Sequence, residues 1–356
     1  MSVWIDKVKP ATNLPLELES LLVVFGERIK LGVPLGRYTS ARVGGPADML
    51  ITIESVEELV EVVSRLWEMD VPFILLGGGS NVLISDAGVR GLVVHNRAQQ
   101  VRFNLKSDPP TVWVASGAKF GVVARQAAGR GLAGLEWAAG IPGTVGGAVV
   151  GNAGAHGGDM AGNLVLAEIL HRKVMDGEAK NGSRPEMRTH REKWPVECWD
   201  FSYRSSIIKR DQGGRSREGS SASASFFTDL QIIVLSAVLR LARSTAQDVQ
   251  SRINEFLAYR RRTQPPGASM GSMFKNPPGD YAGRLIEAAG LKGTRIGQAG
   301  ISPLHANFFI NYGNATADDI WGLIQMTKRS VAAKFGVILE LEIELIGNWD
   351  FEKGLE

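Results

Sequence analysis

The segment Gly140–Gly158, GIPGTVGGAVVGNAGAHGG, constrains this chain more than any other. Eight of its nineteen residues are glycine, yet Ile141, Val145, Val149 and Val150 stand among them. A flexible linker would carry serine and charge in their place. Glycine mixed with core-type residues means that the backbone must approach something closely or take positive φ. The apolar lead-in GLEWAA (134–139) precedes it. A ligand offering a flat or charged surface to the backbone would suit such a stretch. A tightly packed turn would need the same small residues, and the stretch alone leaves both open.

At 356 residues, with 44% apolar and 22% charged side chains, the chain has room for two or three domains and the balance of a soluble globular protein. A net charge of +3 is too weak to argue for nucleic acid and is at most a faint hint of an acidic small ligand. The single cysteine, Cys198, excludes an internal disulfide and a multi-cysteine metal site, and no metal is expected. No run approaches the roughly 18 apolar residues of a membrane span. The opening MSVWIDKVKPATN lacks a basic region followed by an apolar one. The expectation is a cytoplasmic monomer with neither a nucleic-acid nor a membrane partner.

Residues 14–30 carry apolar side chains near helical spacing, and 31–51 then break regular structure with Pro34, Gly36, Gly44, Gly45 and Pro46. A helix is predicted over 55–69, with Ser55 as N-cap. The short strand 71–76 runs directly into Gly77-Gly78-Gly79-Ser80-Asn81. Successive backbone N–H groups at such a junction cradle phosphate oxygens. The motif is neither a P-loop nor the GxGxxG of a dinucleotide fold, and Val82–Asp86 continues as a strand where a helix would open. A plain glycine hairpin is the alternative. Further strands are predicted at 91–95, 111–115, 164–174 and 232–241, with helices at 119–131 and 246–261. The mixture lacks βαβ periodicity, which favours α+β over a doubly wound sheet. Residues 209–225, KRDQGGRSREGSSASAS, read as a polar surface loop. Thr316–Phe335 is a helix with the capping pattern Thr316-x-x-Asp319 and a stop at Gly336. In the closing strand 337–346, Leu339, Leu341, Ile343 and Leu345 face one way and Glu340, Glu342 and Glu344 the other, three like charges that repel unless water or a partner receives them.

Six motifs, YTSARVGGPAD (38–48), LGGGSNVLISD (76–86), GLEWAAGIPGTVGGAVVGNAGAHGG (134–158), FSYRSS (201–206), GSMFKNP (271–277) and LELEIELIG (339–347), occur in one order across nearly the whole chain. In this the chain resembles the MurB family of UDP-N-acetylenolpyruvoylglucosamine reductases, flavoenzymes of peptidoglycan synthesis, in its shorter form. The resemblance implies an α+β protein: a two-part FAD-binding unit of the vanillyl-alcohol-oxidase (PCMH) type over 1–75 and 76–245, with an insertion at 209–225. A C-terminal α+β substrate-binding domain would then fill 246–356. It implies reduction of an enolpyruvyl ether to a lactyl ether, with NADPH as co-substrate, hydride passing through flavin N5, and a UDP-sugar as substrate.

Carried over by motif, Gly77, Gly78, Gly79, Ser80 and Asn81 would hold the FAD pyrophosphate. Gly140, Ile141, Pro142, Gly143, Gly146, Gly147, Asn152, Ala153 and Gly154 would line the nucleotide and ring, and Tyr38, Arg42 and Gly44 would complete the pocket. Ser272 matches the proton donor, Arg204 the arginine that steadies the enolate and carboxylate, and Glu342 the third catalytic residue. A two-residue slip would name Glu340 or Glu344 instead. Tyr203, Lys275 and Asn276 are the expected substrate contacts, with Tyr281 and Arg284 behind them. From the residues alone, Ser272 reads as a turn serine, Arg204 as a surface charge and His305 as structural. With five histidines and one cysteine, none where a tether is asked for, the FAD is expected to be non-covalent. A different PCMH-type oxidoreductase acting on a sugar or alcohol would leave Ser272, Arg204 and Glu342 unexplained, and a non-catalytic nucleotide-sugar binder would leave the flavin motifs idle.

Overall fold

A computed structural model describes residues 16–174, 187–213 and 231–349. Its first sheet has the order Ile29–Pro34, Pro46–Ile53, Val89–Asn96, Phe73–Leu76; the first pair is antiparallel and the others parallel. Both faces are covered. Met49, Ile51, Ile53, Leu92 and Val94 pack on one side, and Leu50, Ile74, Leu76 and Val93 on the other. Strands buried on two faces read as continuous apolar runs rather than alternating ones, as these do. The helix Val56–Glu68 lies on the first face through Leu59, Val62, Val63 and Leu66, and the Ser55 hydroxyl accepts the Glu58 N–H as its cap. That core continues into a second sheet through Leu170, Ile233 and Leu235.

The second sheet is five-stranded and antiparallel, in the order Met187–Pro195, Leu164–Val174, Ile232–Arg240, Thr111–Ala115, Val101–Asn104. Its other face is filled by Phe120, Trp137 and Trp199, and by Val249 and Ile253 of the helix Ala246–Thr263. A third unit packs a three-stranded sheet (Arg295–Ile296, Ala299–Ile301, Phe309–Asn311) with the helices Ala282–Ala288 and Ala317–Phe335. The long helix carries the expected capping box at Thr316 and Asp319 and ends on Gly336 in the left-handed region.

Some expectations change. The first helix spans Leu16–Phe25 and stops because Gly26 takes positive φ, so that Ile29 opens a strand instead of extending the helix to 30. The break at 75 falls inside the first sheet, since Val89–Asn96 pairs between two earlier strands. The helix begun at 246 buries its apolar face in the second unit's core, not in the C-terminal one. Residues 209–213 are helical, in Ile207–Gly213, because Ser206 accepts the Lys209 N–H and Ile208 is buried; residues 214–225 lie outside the described residues. Of 337–346 only Glu344–Ile346 is laddered, against the three-residue strand Val82–Ile84, while Leu341 makes a single bridge to Phe274. The alternation nevertheless holds, with Leu339 and Ile343 buried.

Two contacts join the chain's ends. Val82–Ile84 pairs in parallel with Glu344–Ile346. Asp86, at the end of the same segment, accepts the Ala317 and Asp318 N–H groups, each at 2.9 Å, and so caps the long C-terminal helix from the other unit. Asp86→Ala leaves these two donors unpaired and removes a negative charge from a helix N-terminus, so a loss of about 1–2 kcal/mol is expected. Urea unfolding of the apoprotein measures it, and Asp86→Asn, which keeps one acceptor, loses less.

Candidate active site

The glycine junction, the glycine-rich segment and the chain's closing strand wall one cavity of about 780 Å³, within the roughly 300–1,000 Å³ of small-molecule sites. Gly77–Asn81, Ile141, Pro142, Gly143, Gly146, Gly147, Ala153 and Gly154 line it together with Arg204, Ser272 and Glu342. Side chains are excluded from the junction. A Cβ on Gly77 would stand 2.5 Å from Thr144 Oγ1, and one on Gly79, whose φ is +57°, would overlap the Tyr38 carbonyl. Backbone amides therefore face a ligand directly there, a surface suited to phosphate oxygens. The residues fit a flavin dinucleotide in this respect.

Eight of the expected residues, and the weaker candidates Tyr281 and Arg284, do not line the cavity. Tyr38, Arg42 and Gly44 form a brace behind the junction. The Ser40 N–H donates to Gly79 O, the Tyr38 ring meets His95 edge-on, and a Cβ on Gly44 would touch Ile84. Gly140 lies beneath the Arg260 side chain. Asn152, buried with φ +42°, donates from Nδ2 to Ser202 O and accepts the Ala161 N–H, so its amide is spent on holding the turn that carries Arg204. Tyr203 is exposed with Arg204 against its ring, Lys275 pairs with Glu340 at 3.3 Å, and Asn276 Oδ1 accepts the Ala282 N–H.

The three residues expected to do chemistry come together by backbone hydrogen bonds. Glu342 N donates to Met273 O, one residue past Ser272, and Met273 N donates to Asn307 O. The buried Asn307 side chain also bonds the Phe274 N–H and carbonyl, clamping the segment from both sides. The Ser272 side chain makes no hydrogen bond to any described residue. Arg204 stands at φ +55° between reciprocal Ser202–Ser205 backbone bonds, while the Ser206 hydroxyl donates to Val150 O. A non-glycine residue in that region is strained and persists only where its surroundings fix it. Its Nε pairs with Glu342 Oε1 at 2.7 Å.

Each glutamate of the row has its own cation: Lys275 for Glu340, Arg204 for Glu342 and, at 3.2 Å, Lys209 for Glu344. Burial raises the Glu342 pKa, against the pull of Arg204, Lys209 and Lys275. Lys209, Asn307, His156 and Arg260 escape sequence reasoning. Lys209 is hidden by reading 209 as the start of a loop, and Arg260 by the ordinary basic last turn of a helix. His305 is structural, as expected: its Nδ1 accepts the Asn307 N–H and its ring packs edge-on to Phe308.

The fold and its glycine cradle define an FAD-binding protein, and the FAD binding domain family matches residues 47–178. Residues 263–346 match the C-terminal domain of UDP-N-acetylenolpyruvoylglucosamine reductase. The chain is 41% identical to that reductase of Chloroflexus aggregans over 88% of its own length and 96% of the relative's. It is likewise 41% identical to that of Rubrobacter xylanophilus, over 89% and 95%. It is also similar to the crystal structure of the Thermus caldophilus reductase, MurB, with a TM-score of 0.67 and 34% identity over 89% of this chain and 98% of that one. The chain belongs to the UDP-N-acetylenolpyruvoylglucosamine reductase family, MurB.

The charge row gives a signed expectation. Lys209→Met removes one of the cations that hold the Glu342 pKa down, so its ionisation moves to higher pH. The Glu342 carboxyl ¹³C resonance, assigned by its loss in Glu342→Gln, reports the shift; a fall or no change contradicts the electrostatic account.

Proposed function

We propose that this chain reduces UDP-N-acetylglucosamine enolpyruvate to UDP-N-acetylmuramate in peptidoglycan precursor synthesis, with NADPH as co-substrate and FAD held non-covalently. The observation that carries the reading is the convergence of Arg204, Ser272 and Glu342 on the cavity walled by the glycine junction, in a chain of this family. Bound there, FAD would supply the hydride-transfer chemistry between NADPH and the enolpyruvyl β-carbon.

The amides of Gly77–Asn81 hold the pyrophosphate. As hydride adds to the β-carbon, negative charge grows on the α-carbon and its carboxylate. Arg204, always charged and planar, holds that carboxylate through its terminal guanidinium N–H groups while its Nε stays paired with Glu342. The Ser272 hydroxyl gives its proton to the α-carbon. Glu342, whose burial raises its proton affinity, orients Arg204 and keeps a proton available to higher pH than an exposed glutamate would. The units built on the first two sheets hold the dinucleotide and the C-terminal unit the UDP-sugar. The protein works as a cytoplasmic monomer, and Tyr203, Lys275 and Asn276, outside the cavity lining, contact the sugar nucleotide when it enters.

An anaerobic visible spectrum tests the reading. NADPH bleaches the flavin colour, and the enolpyruvyl substrate restores it. Ser272→Ala keeps the bleaching and slows the recovery by about 10²–10⁴-fold, the usual worth of a positioned general acid. Bleaching without recovery in the wild type overturns the substrate, and a colourless protein that takes up no FAD overturns the flavoenzyme.

A further inference from the structure

The turn 200–206 holds two non-glycine residues in the left-handed region, Asp200 at φ +42° and Arg204 at φ +55°. Aspartate visits that region more readily than most side chains; an arginine there must be held by its surroundings. One side of the turn is held by Asn152, on Ser202 O, and by the Ser206 hydroxyl, on Val150 O. On its solvent side stands Arg210, which does not line the cavity.

Arg210 belongs to the helix Ile207–Gly213, and its N–H donates to Ser206 O. Helical side chains point back toward the N-terminus, so the guanidinium returns over the turn that precedes the helix. Nη1 donates to Ser202 Oγ and to Ser205 Oγ, each at 3.3 Å. Nη2 donates to Asp200 O at 2.8 Å and pairs with the Asp200 carboxylate. Ser202 and Ser205 are the two residues whose reciprocal backbone bonds enclose Arg204, so one rigid fork ties both ends of the strained turn. The Asp200 pair alone would be worth little, since that carboxylate is 80% exposed. The weight falls on the Asp200 carbonyl and the two hydroxyls, which a planar five-donor group reaches together and an ammonium does not.

We propose that Arg210 is a positioning residue: it fixes Arg204 in the left-handed conformation and so keeps that guanidinium aimed at the enolpyruvyl carboxylate. The inference rests on the functional reading above. Relaxing the Arg204 backbone would swing its side chain and draw Nε away from Glu342, 2.7 Å distant. A misplacement of about 1 Å at a reacting centre can cost about 10²-fold in rate. Lys209, one residue earlier, faces Glu344 in the cavity wall. The helix that follows the turn thus gives one cation to the cavity and the next to the turn itself.

The test follows the two halves of the reaction separately, anaerobically, in FAD-loaded wild type, Arg210→Met and Arg210→Lys. Bleaching by NADPH keeps the wild-type rate. Recovery with saturating enolpyruvyl substrate slows about tenfold in Arg210→Met, and less in Arg210→Lys, which keeps the charge and part of the reach. A second readout needs no flavin. Burial raises the Glu342 pKa, and Arg204 is the foremost cation opposing it, ahead of Lys209 and Lys275; Arg210 is not among them. A loosened Arg204 therefore moves the Glu342 ionisation to higher pH in Arg210→Met, read from its carboxyl ¹³C resonance in the apoprotein. Arg210→Lys carries both readouts where Arg210→Met does not fold. An unmoved Glu342 titration overturns the proposal, and so does a recovery as fast as wild type. Equal slowing of both halves also overturns it, since that marks Arg210 as a general support of the fold. A wild type that bleaches and does not recover defeats the functional reading instead, and the Glu342 titration then decides the role of Arg210 by itself.

Discussion

Everything at the cavity depends on a three-residue parallel ladder between Val82–Ile84 and Glu344–Ile346, segments more than 250 residues apart. Asn81 reinforces it from the glycine side: its side chain donates to Glu342 O and its carbonyl accepts the Glu344 N–H. A ladder this short contributes little by itself. It holds because Leu83 and Ile343 are buried in the C-terminal core while Ile84 is buried in the first sheet's, so that separating the strands would expose two cores. The same pairing sets Glu342 beside the glycine junction and, through Met273, beside Ser272.

The glutamate row shows how one charge pattern is put to unequal uses. Glu340 is exposed, and its pair with Lys275 is worth little in water. Glu342 is mostly enclosed, and enclosure rather than pairing decides its proton affinity, since burial outweighs three cations. Two of those cations come from the segment 204–209, which is fixed by Asn152 and by the Ser206 bond to Val150. The glycine-rich segment therefore reaches the chemistry indirectly, through the backbone of the turn that aims Arg204 and Lys209.

Much of this was legible in the sequence. The glycine junction, the cap at Ser55, the capping box at Thr316 and the alternation of 339–345 all follow from local rules, because a cap or a period is decided by neighbours within a few residues. The illegible parts are decided by distant partners. Nothing local says that Val89–Asn96 inserts between earlier strands, that Ala246–Thr263 packs backwards onto Trp137, or that Asp86 caps a helix 231 residues away. The family motifs named Arg204, Ser272 and Glu342, which the cavity brings together. They also named Asn152, whose buried amide turned out to hold the turn rather than face the cavity.

The choice left open for Gly140–Gly158, between a ligand surface and a packed turn, resolves by position. Gly143, Gly146 and Gly147 line the cavity. Gly158 does not, and a side chain on it would overlap the Trp137 ring; Trp137 in turn donates through Nε1 to Asn163 Oδ1 and packs edge-on against Phe120. The segment through His156 is therefore small where a ligand must lie against it, and Gly158 at its end is small because an aromatic ring must. Both requirements act on one continuous backbone, and Asn152, in the left-handed region with its amide fully engaged, fixes the turn between the lining residues Gly151 and Ala153. A larger residue at Gly158 should thus reach the cavity through its strand partner Ala155, which lines it.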